Sequence, residues 1–381
     1  MKFKSKLLTL TLTGMIFISS AIPAAAADIT APNISQNQIT NTAQSNSVEA
    51  MSVDVLGEHG KQLTPVGQDI YEMIYEKFRN FDVKSENFSI STSLKLTETI
   101  LGNIDDYIVT ALSLDHPEIF WNGDYHISVA HKSGINVDEI YVTADRYGKY
   151  SDNNNVNQMF TEFENAYNNI ISQMNDDSSV QTDLDKYFWI HDYLVDNVEY
   201  VDTNNSFTNY PREIYPDYYN AYGAIVNGKT FCQGYAAAYK VLCDKANLDC
   251  VMIVGNDHSW NYVNLNNKWY IVDVSSDATQ SVKYFYFFTN NTGYNPNDFC
   301  GNFSIESSKP FKFGDINKDG RYTASDAAIL NQDILLGEIY DYSYSEYILA
   351  DVDGNGIITS NDCSWIMQKT LNAGTRFPVE G

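Results

Sequence analysis

Residues 227–273 read NGKTFCQGYAAAYKVLCDKANLDCVMIVGNDHSWNYVNLNNKWYIVD, and most of the fold can be predicted from them. Asn227-Gly228-Lys229 signals a turn, and from Cys232 onward the apolar residues recur at helical spacing. Cys232 therefore lies at the N-terminus of a predicted helix, where the helix macrodipole favours a thiolate over a thiol. A nucleophilic cysteine is expected at such a position.

Two strands joined by a tight turn are predicted after this helix. Ser259–Leu265 alternates polar and apolar residues, and Lys268–Val274 is the returning strand. Asn266 and Asn267 form the turn, because asparagine tolerates the positive φ that tight hairpin turns need.

The register of this hairpin brings a histidine and an aspartate together. If Leu265 pairs with Lys268, counting outward makes His258 the diagonal neighbour of Asp273. Diagonal neighbours on one face lie about 7–8 Å apart, within reach of His and Asp side chains that lean together. We therefore expect a triad of Cys232 as nucleophile, His258 as general base and acid, and Asp273 as the group that orients the imidazole.

Short motifs surround the three residues: YGA at 222–224, CQGYA at 232–236, HSWN at 258–261 and WYIVD at 269–273. Together with the segment 187–200, these motifs resemble the transglutaminase-like superfamily of papain-type thiol enzymes. The resemblance implies the same roles for Cys232, His258 and Asp273. It also implies an α+β core in which the helix carrying the cysteine packs on an antiparallel sheet. The superfamily contains transamidases, peptidases, amidases and inactive members, so the substrate stays open.

A second motif occurs twice near the C-terminus, as DINKDGRYTASD at 315–326 and DVDGNGIITSND at 351–362. Oxygen-bearing residues and a glycine occupy the positions that a calcium loop requires, with Asp rather than Glu at position 12. Each loop leads into a predicted helix, 327–336 and 363–371, ended by Gly337 and Gly374. The predicted ligands, with Arg321 and Ile357 acting through backbone carbonyls, are Asp315, Asn317, Asp319, Arg321, Thr323, Asp326, Asp351, Asp353, Asn355, Ile357, Thr359 and Asp362.

This duplicated unit resembles a type I dockerin, a small all-α module that binds cohesin modules of a cellulosome scaffold. The resemblance implies two calcium ions as cofactors and a cohesin as partner. It also implies that loop positions 10 and 11 contribute to the choice of cohesin, namely Ala324, Ser325, Ser360 and Asn361. Without calcium the clustered carboxylates would repel, and the module is expected to unfold.

The remaining sequence sets the expected domain boundaries. A basic start, an apolar stretch and Ala25-Ala26-Ala27 predict a secretory signal peptide. No later stretch is long and apolar enough to span a bilayer, so we expect a secreted, extracellular, cellulosome-associated protein. The predicted segments are a signal peptide 1–27, a flexible linker 28–55, an N-terminal helical and mixed region 56–180, the transglutaminase-like core 181–310, the dockerin 311–374 and a tail 375–381.

The composition excludes some classes of partner and leaves other questions open. A formal net charge of −25 disfavours nucleic acid and anionic membrane surfaces. Five cysteines in 381 residues do not make a disulfide scaffold. The cysteines outside the triad could pair or stay reduced: Cys243, Cys250, Cys300 and Cys363.

Two segments near the predicted core allow more than one interpretation. The segment LDHPEIFW at 114–121 could form a wall of the substrate cleft, but a helix stopped before Pro117 with aromatic residues packed on the core is favoured. The tyrosine-rich stretch 200–222 could line a peptide or glycan groove, or could be loop packing.

Taken together, these features predict a secreted thiol enzyme that acts on peptide or glutamine amides and is tethered by its dockerin. Its substrate would be a peptide or protein. Hydrolysis is favoured over transamidation because no acyl-acceptor site can be identified from the sequence. Two alternatives remain. The core could be an inactive binding module, or the protein could act on polysaccharide, although no carboxylate pair for glycoside cleavage can be singled out.

Overall fold

The computed structural model describes Leu8–Thr9 and residues 55–79, 88–91, 98–123, 125–130, 139–144, 146–201, 209–255, 257–289, 293–297, 300–301, 303–337 and 341–380. Apart from Leu8–Thr9 and Val55, the predicted signal peptide and linker lie outside these residues.

Helices account for most of the regular structure in the described residues. They are α1 (Pro65–Arg79), α2 (Glu98–Asp115), α3 (Asn153–Asp176), α4 (Asp183–Asn197), α5 (Ala221–Ile225), α6 (Cys232–Lys245), α7 (Val274–Thr279), α8 (Ala324–Leu336), α9 (Tyr344–Ala350) and α10 (Ser360–Leu371).

The strands form one sheet beside α6, a second sheet and a short parallel pair. They are β1 (Leu8–Thr9), β2 (Phe88–Ser91), β3 (Tyr125–Ala130), β4 (Glu139–Ala144), β5 (Glu199–Tyr200), β6 (Lys229–Thr230), β7 (Cys250–Gly255), β8 (His258–Leu265), β9 (Lys268–Val272) and β10 (Phe287–Thr289). Strands β10, β9, β8 and β7 form the central antiparallel sheet in that order, and β1, β3, β4 and β2 form the second. Strands β5 and β6 pair in parallel.

Helix α6 is the centre of the core. It packs against β7 and β8 and also contacts α4, α5 and α7, so its residues from Cys232 to Cys243 are all buried. Small side chains at 236–238 let the surrounding elements approach closely, and the amide of Asn261 in β8 donates to the carbonyl of Ala236 at 3.0 Å. A buried helix on an antiparallel sheet confirms the predicted α+β class.

The hairpin has the predicted register. Leu265 pairs with Lys268, and Asn266 and Asn267 have φ of 56° and 61°, the left-handed values that the turn requires. The returning strand is shorter than predicted, because it ends at Val272 and Asp273 becomes the N-cap of α7. The predicted extension of this strand to residue 274 was therefore wrong.

For other elements the predicted type of secondary structure was right, but the predicted boundaries were inexact. The predicted helix 327–336 begins three residues earlier, at Ala324, and the last dockerin helix is capped at Asn372 rather than ended by Gly374. The segment 114–121 has the structural role that was favoured. Asp115 accepts hydrogen bonds from the backbone N–H groups of His59 and Gly60, and Phe120 and Trp121 are buried in the core.

The glycine of the CQGYA motif is required by close packing. A Cβ atom on Gly234 would lie 1.8 Å from Oγ1 of Thr230 and 2.8 Å from the carbonyl oxygen of Asn220. The residue two positions after the cysteine must therefore lack a side chain, because β6 and the start of α5 press against the first turn of α6.

We predict that Gly234→Ala lowers the free energy of unfolding by about 1–3 kcal/mol, the usual cost of overpacking a core. Urea denaturation of the full chain measures the change. Gly374→Ala is the matched control, because Gly374 is exposed and its added Cβ would meet nothing closer than 3.3 Å. Equal losses of stability in the two variants would contradict the prediction.

Candidate active site

Cys232 is held at the first turn of α6 by the parallel pair β5–β6. Tyr200 pairs with Thr230, two residues before the cysteine, and Phe231 is the N-cap of the helix. The thiol is 3% exposed, in the first helical turn, where backbone N–H groups have no intrahelical partner. This is the setting in which a thiolate is stabilised by the helix macrodipole.

His258 and Asp273 form a direct hydrogen bond. Nε2 of His258 lies 2.6 Å from Oδ2 of Asp273, which is 0% exposed. The diagonal placement that the hairpin register predicted is thus present, although Asp273 reaches His258 from a helix cap and not from a strand. This bond leaves Nδ1 of the imidazole free to face the thiol.

The thiol of Cys232 lies close enough to the imidazole to affect its pKa. Burial disfavours the imidazolium, but the hydrogen bonds and charges of Asp273 and Cys232 outweigh it and raise the pKa of His258 to about 10. The structure therefore brings all three predicted residues together and favours an imidazolium at His258 at neutral pH.

Asp273 receives more hydrogen bonds than sequence reasoning indicated. Oδ2 accepts from the hydroxyls of Ser276 and Tyr294 at 2.6 Å each, and Oδ1 accepts from the hydroxyl of Ser275 and from the backbone N–H of Ser276. Burial alone would raise the pKa of this carboxyl, but the hydrogen bonds from His258 and these donors lower it. The carboxylate stays ionised and fixed in place.

Tyr200 is a further site residue that sequence reasoning missed. Its side chain lies close to Cys232, and both the thiol and the backbone of that residue affect the pKa of the Tyr200 hydroxyl. Burial and the nearby Cys232 raise the pKa of Tyr200, so its hydroxyl remains a neutral donor. The parallel pairing of Tyr200 with Thr230 is what places it there.

The tyrosine-rich loop before α5 is partly packed and partly open. The rings of Tyr218 and Tyr219 pack on Phe231 beside the nucleophile, which is the packing interpretation. Ile214 and Tyr215 are 68% and 38% exposed. These two residues are the part of the loop that remains available to line a groove.

Cysteines outside the triad are free thiols and fully embedded in the fold. Burial raises the pKa of Cys243 well above its usual value, and the neighbouring Cys250 raises it further. Cys300 accepts from the backbone N–H of Val254 at 3.5 Å, and burial raises its pKa to about 11. Such thiols are unreactive at neutral pH, so Cys232 is the better placed nucleophile.

The second calcium loop has the donor set of a cation site. Carboxylate oxygens of Asp351, Asp353 and Asp362 lie within 4.8 Å of one another. Burial and the crowding of these carboxylates raise the pKa of Asp351 and Asp362. A cation with oxygen ligands would relieve this repulsion, so the residues fit calcium.

In the first calcium loop, backbone N–H groups of the loop donate to the carboxylate at position 1. Asp315 accepts hydrogen bonds from the backbone N–H groups of Asp319 and Gly320 at 3.1 and 2.9 Å. Gly320 and Gly356 have φ of 78° and 85°, which explains the glycine at position 6 of each loop. In the described residues, its three carboxylates (Asp315, Asp319 and Asp326) do not cluster as tightly as those of the second loop.

The other predicted ligands and partner residues lie where the loops meet the helices. Asn317 and Asn355 accept hydrogen bonds within their loops from the N–H groups two residues ahead. Thr323 and Thr359 were predicted as calcium ligands. Their hydroxyls also act as N-caps of α8 and α10. The proposed cohesin-facing residues are all exposed at the starts of the same two helices: Ala324, Ser325, Ser360 and Asn361.

An α+β core with a buried thiol at a helix start has the architecture of the transglutaminase-like, papain-type proteins. The thiol lies beside an imidazole from the adjacent sheet, and a carboxylate from the helix cap after that sheet binds the imidazole. Two loops with spaced oxygen donors, each leading into a helix, add a calcium-binding module. In the described residues no helix is both long and apolar enough to cross a membrane.

Comparison with known proteins agrees with this class. Residues 172–274 match the family model of the transglutaminase-like superfamily, and residues 313–372 match that of the dockerin type I domain. The chain thus carries a transglutaminase-like core and a type I dockerin. No curated protein matches it.

Solved structures with some similarity include a crystal structure of a TGase and a candidate cysteine protease from Cytophaga hutchinsonii. The first is 16% identical over 54% of this chain and 57% of its own, with a TM-score of 0.27. The second is 13% identical over 40% of this chain and 58% of its own, with a TM-score of 0.24. This chain therefore spans less than two thirds of either protein.

Proposed function

We propose that this protein is a secreted thiol enzyme that transfers or hydrolyses acyl groups of peptide or glutamine amides. The observation that carries the proposal is the hydrogen bond between His258 and Asp273, together with the position of the Cys232 thiol close enough to affect the pKa of the imidazole. A thiol beside an imidazole is suited to nucleophilic attack, because the imidazole can take the proton of the thiol and return it to the leaving amine.

In the proposed reaction, the sulfur of Cys232 attacks the carbonyl carbon of the amide and forms a thioester as the C–N bond breaks. The imidazolium of His258 gives its proton to the departing amine. Water then attacks the thioester, His258 takes a proton from that water, and the acid leaves with the thiolate restored. Asp273, saturated with hydrogen bonds, keeps the imidazole in one orientation throughout.

The tetrahedral oxyanion needs donors, and two groups are close to the sulfur. One is the backbone N–H of Cys232, and the other is the hydroxyl of Tyr200, which contacts both the backbone and the side chain of that residue. Donors fixed in place where charge develops stabilise the transition state most effectively. We assign Tyr200 to this role.

The dockerin extends the proposal to location and partner. A type I dockerin indicates a cellulosome-associated protein, and we propose that a cohesin module of a scaffold is the partner. Apolar side chains exposed on the module suit such a surface: Leu335, Leu336, Ile357, Met367 and Leu371. Residues 1–27 would direct the chain out of the cell.

Cys232→Ala is expected to reduce turnover of a peptide and glutamine-amide panel by on the order of 10⁴-fold or more, because the covalent route is lost. Ammonia release read against chain cleavage distinguishes deamidation from proteolysis. Cys243→Ala, another buried cysteine of α6, is the control and should retain activity. Turnover that survives Cys232→Ala would refute the mechanism, and reducing-sugar release surviving it would favour the polysaccharide alternative.

Tyr200→Phe is expected to lower kcat by about 10²–10³-fold, the usual effect of removing one oxyanion donor, with little change in KM. Tyr219→Phe is the control, because Tyr219 also lies near Phe231 but donates its hydroxyl to the carbonyl of Tyr210 at 2.6 Å. Equal kcat values for the two variants would remove Tyr200 from the mechanism.

Removal of calcium from the full chain with EGTA is expected to lower its helical content and to abolish binding to type I cohesins, because the loop carboxylates then repel. Circular dichroism and titration calorimetry measure the two effects. Calcium should restore both, whereas magnesium, which requires a smaller octahedral shell, should not. Unchanged spectra and cohesin binding in EGTA would contradict the calcium assignment.

A further inference from the structure

The dockerin is anchored to the core by a buried carboxylate that serves both modules. Asp185 is 0% exposed, and its Oδ2 accepts from the backbone N–H of Thr182 at the start of α4. Its Oδ1 accepts from the hydroxyl of Ser343 at 2.9 Å and from the backbone N–H of Ser345 at 2.8 Å, at the start of α9. One carboxylate therefore lies between two helix N-termini, each of which favours negative charge.

Hydrogen bonds and side-chain packing together connect α9 to the core, since Tyr344, Ile348 and Leu349 pack against the core cluster. A cavity of about 610 Å³ beside α9 is lined by Lys283 and Tyr284 of the core and by Asp351 and Gly354 of the second calcium loop. The backbone N–H of Tyr344 donates to the carbonyl of Ser179 at 2.8 Å, which adds a further polar contact. These directed hydrogen bonds therefore add to the packing that fixes the position of α9 on the core.

A second buried group lies next to this contact. The ring of His191 in α4 is 0% exposed, with Nδ1 3.1 Å from Oδ1 of Asp192 and Nε2 3.0 Å from Oδ2 of Asp277. Burial disfavours the charged ring, but hydrogen bonds to the two carboxylates outweigh it and raise the pKa of His191. An imidazolium is the form that donates to both neighbours at once.

The dockerin completes this buried group. Oδ2 of Asp192 accepts from the hydroxyl of Tyr284 at 2.8 Å and from the hydroxyl of Tyr344, at the first position of α9, at 3.0 Å. A hydrogen-bonded series thus runs from the dockerin through Asp192 and His191 to Asp277. Removing one donor from a buried carboxylate weakens the group as a whole, because its members polarise one another.

The series ends at the helix that carries the catalytic carboxylate. Asp277 belongs to α7, which starts at the N-cap Asp273 and has six residues, too few to hold a helix without outside contacts. The backbone N–H of Asp277 donates to the carbonyl of Asp273, and Oδ1 of Asp277 accepts from the backbone N–H of Tyr286 at 2.8 Å. The position of Asp273 therefore depends on how firmly Asp277 is held.

We propose that the dockerin is a structural part of the catalytic core, and that Tyr344 acts as a positioning residue that holds α7, and with it Asp273, through Asp192 and His191. The proposal rests on the proposed function of the triad. It implies that a module known for tethering also tunes the nucleophile of the domain to which it is attached.

Tyr344→Phe in the full chain tests this coupling, because it keeps the ring and removes only the hydroxyl bonded to Asp192. We expect kcat to fall by about 2- to 30-fold with KM unchanged, the range for mutations that alter coupling between packed sites. The apparent pKa of Cys232 alkylation by iodoacetamide should rise, because a loosened Asp273 supports the imidazolium less well. Alkylation needs no substrate and therefore reports on the site directly.

Tyr347→Phe is the matched control, since Tyr347 is on the same helix and its hydroxyl donates to the carbonyl of Gly356 at 3.3 Å, away from Asp192. Ser343→Ala, which removes a donor to Asp185, should act in the same direction as Tyr344→Phe. If both variants alkylate like the control and keep its kcat, the coupling is refuted while the triad stands. If the unaltered chain shows no turnover that depends on Cys232, the proposed function itself fails.

Discussion

The hydrogen bond between His258 and Asp273 depends on a single residue that ends a strand and starts a helix. Because Asp273 is the N-cap of α7, its Oδ1 is fixed by the backbone N–H of Ser276, which leaves Oδ2 directed at the imidazole. An aspartate in mid-strand would have kept freedom of rotation. The helix cap removes that freedom. The orientation of the His258 imidazole relative to the Cys232 thiol is therefore also fixed.

The parts of the site that could be predicted from sequence follow from local rules. Asn266 and Asn267 require a tight turn, the turn sets the register, and the register places His258 near Asp273. Tyr200 and Tyr294 could not be found in this way, because each comes from a separate segment brought in by tertiary packing. The early end of β9 could have been predicted, since Asp273 with serines at 275 and 276 is a pattern typical of a helix start.

The contact between the dockerin and the core was equally invisible to sequence patterns. Ser343 and Asp185 are 158 positions apart, and no periodicity connects them. The sequence predicted a dockerin from its spaced ligands, and that spacing says nothing about which helix touches the core. Phe311 packing on Phe188 and Phe287 shows that the chain joining the modules is itself held in the core, so the dockerin is not suspended on a free linker.

Buried aspartates bind the backbone at the starts of several helices in this acidic protein. Asp326 and Asp362 are 0% exposed, and Oδ2 of each accepts the backbone N–H of the threonine that caps its helix. Oδ1 of the same residues accepts a backbone N–H from the third position of the calcium loop, at Asn317 and Asp353. In each loop, the same carboxylate therefore holds the calcium loop closed and binds the backbone at the start of the helix. A cation that draws that carboxylate into place would order loop and helix together, which explains why such short helices can depend on a metal.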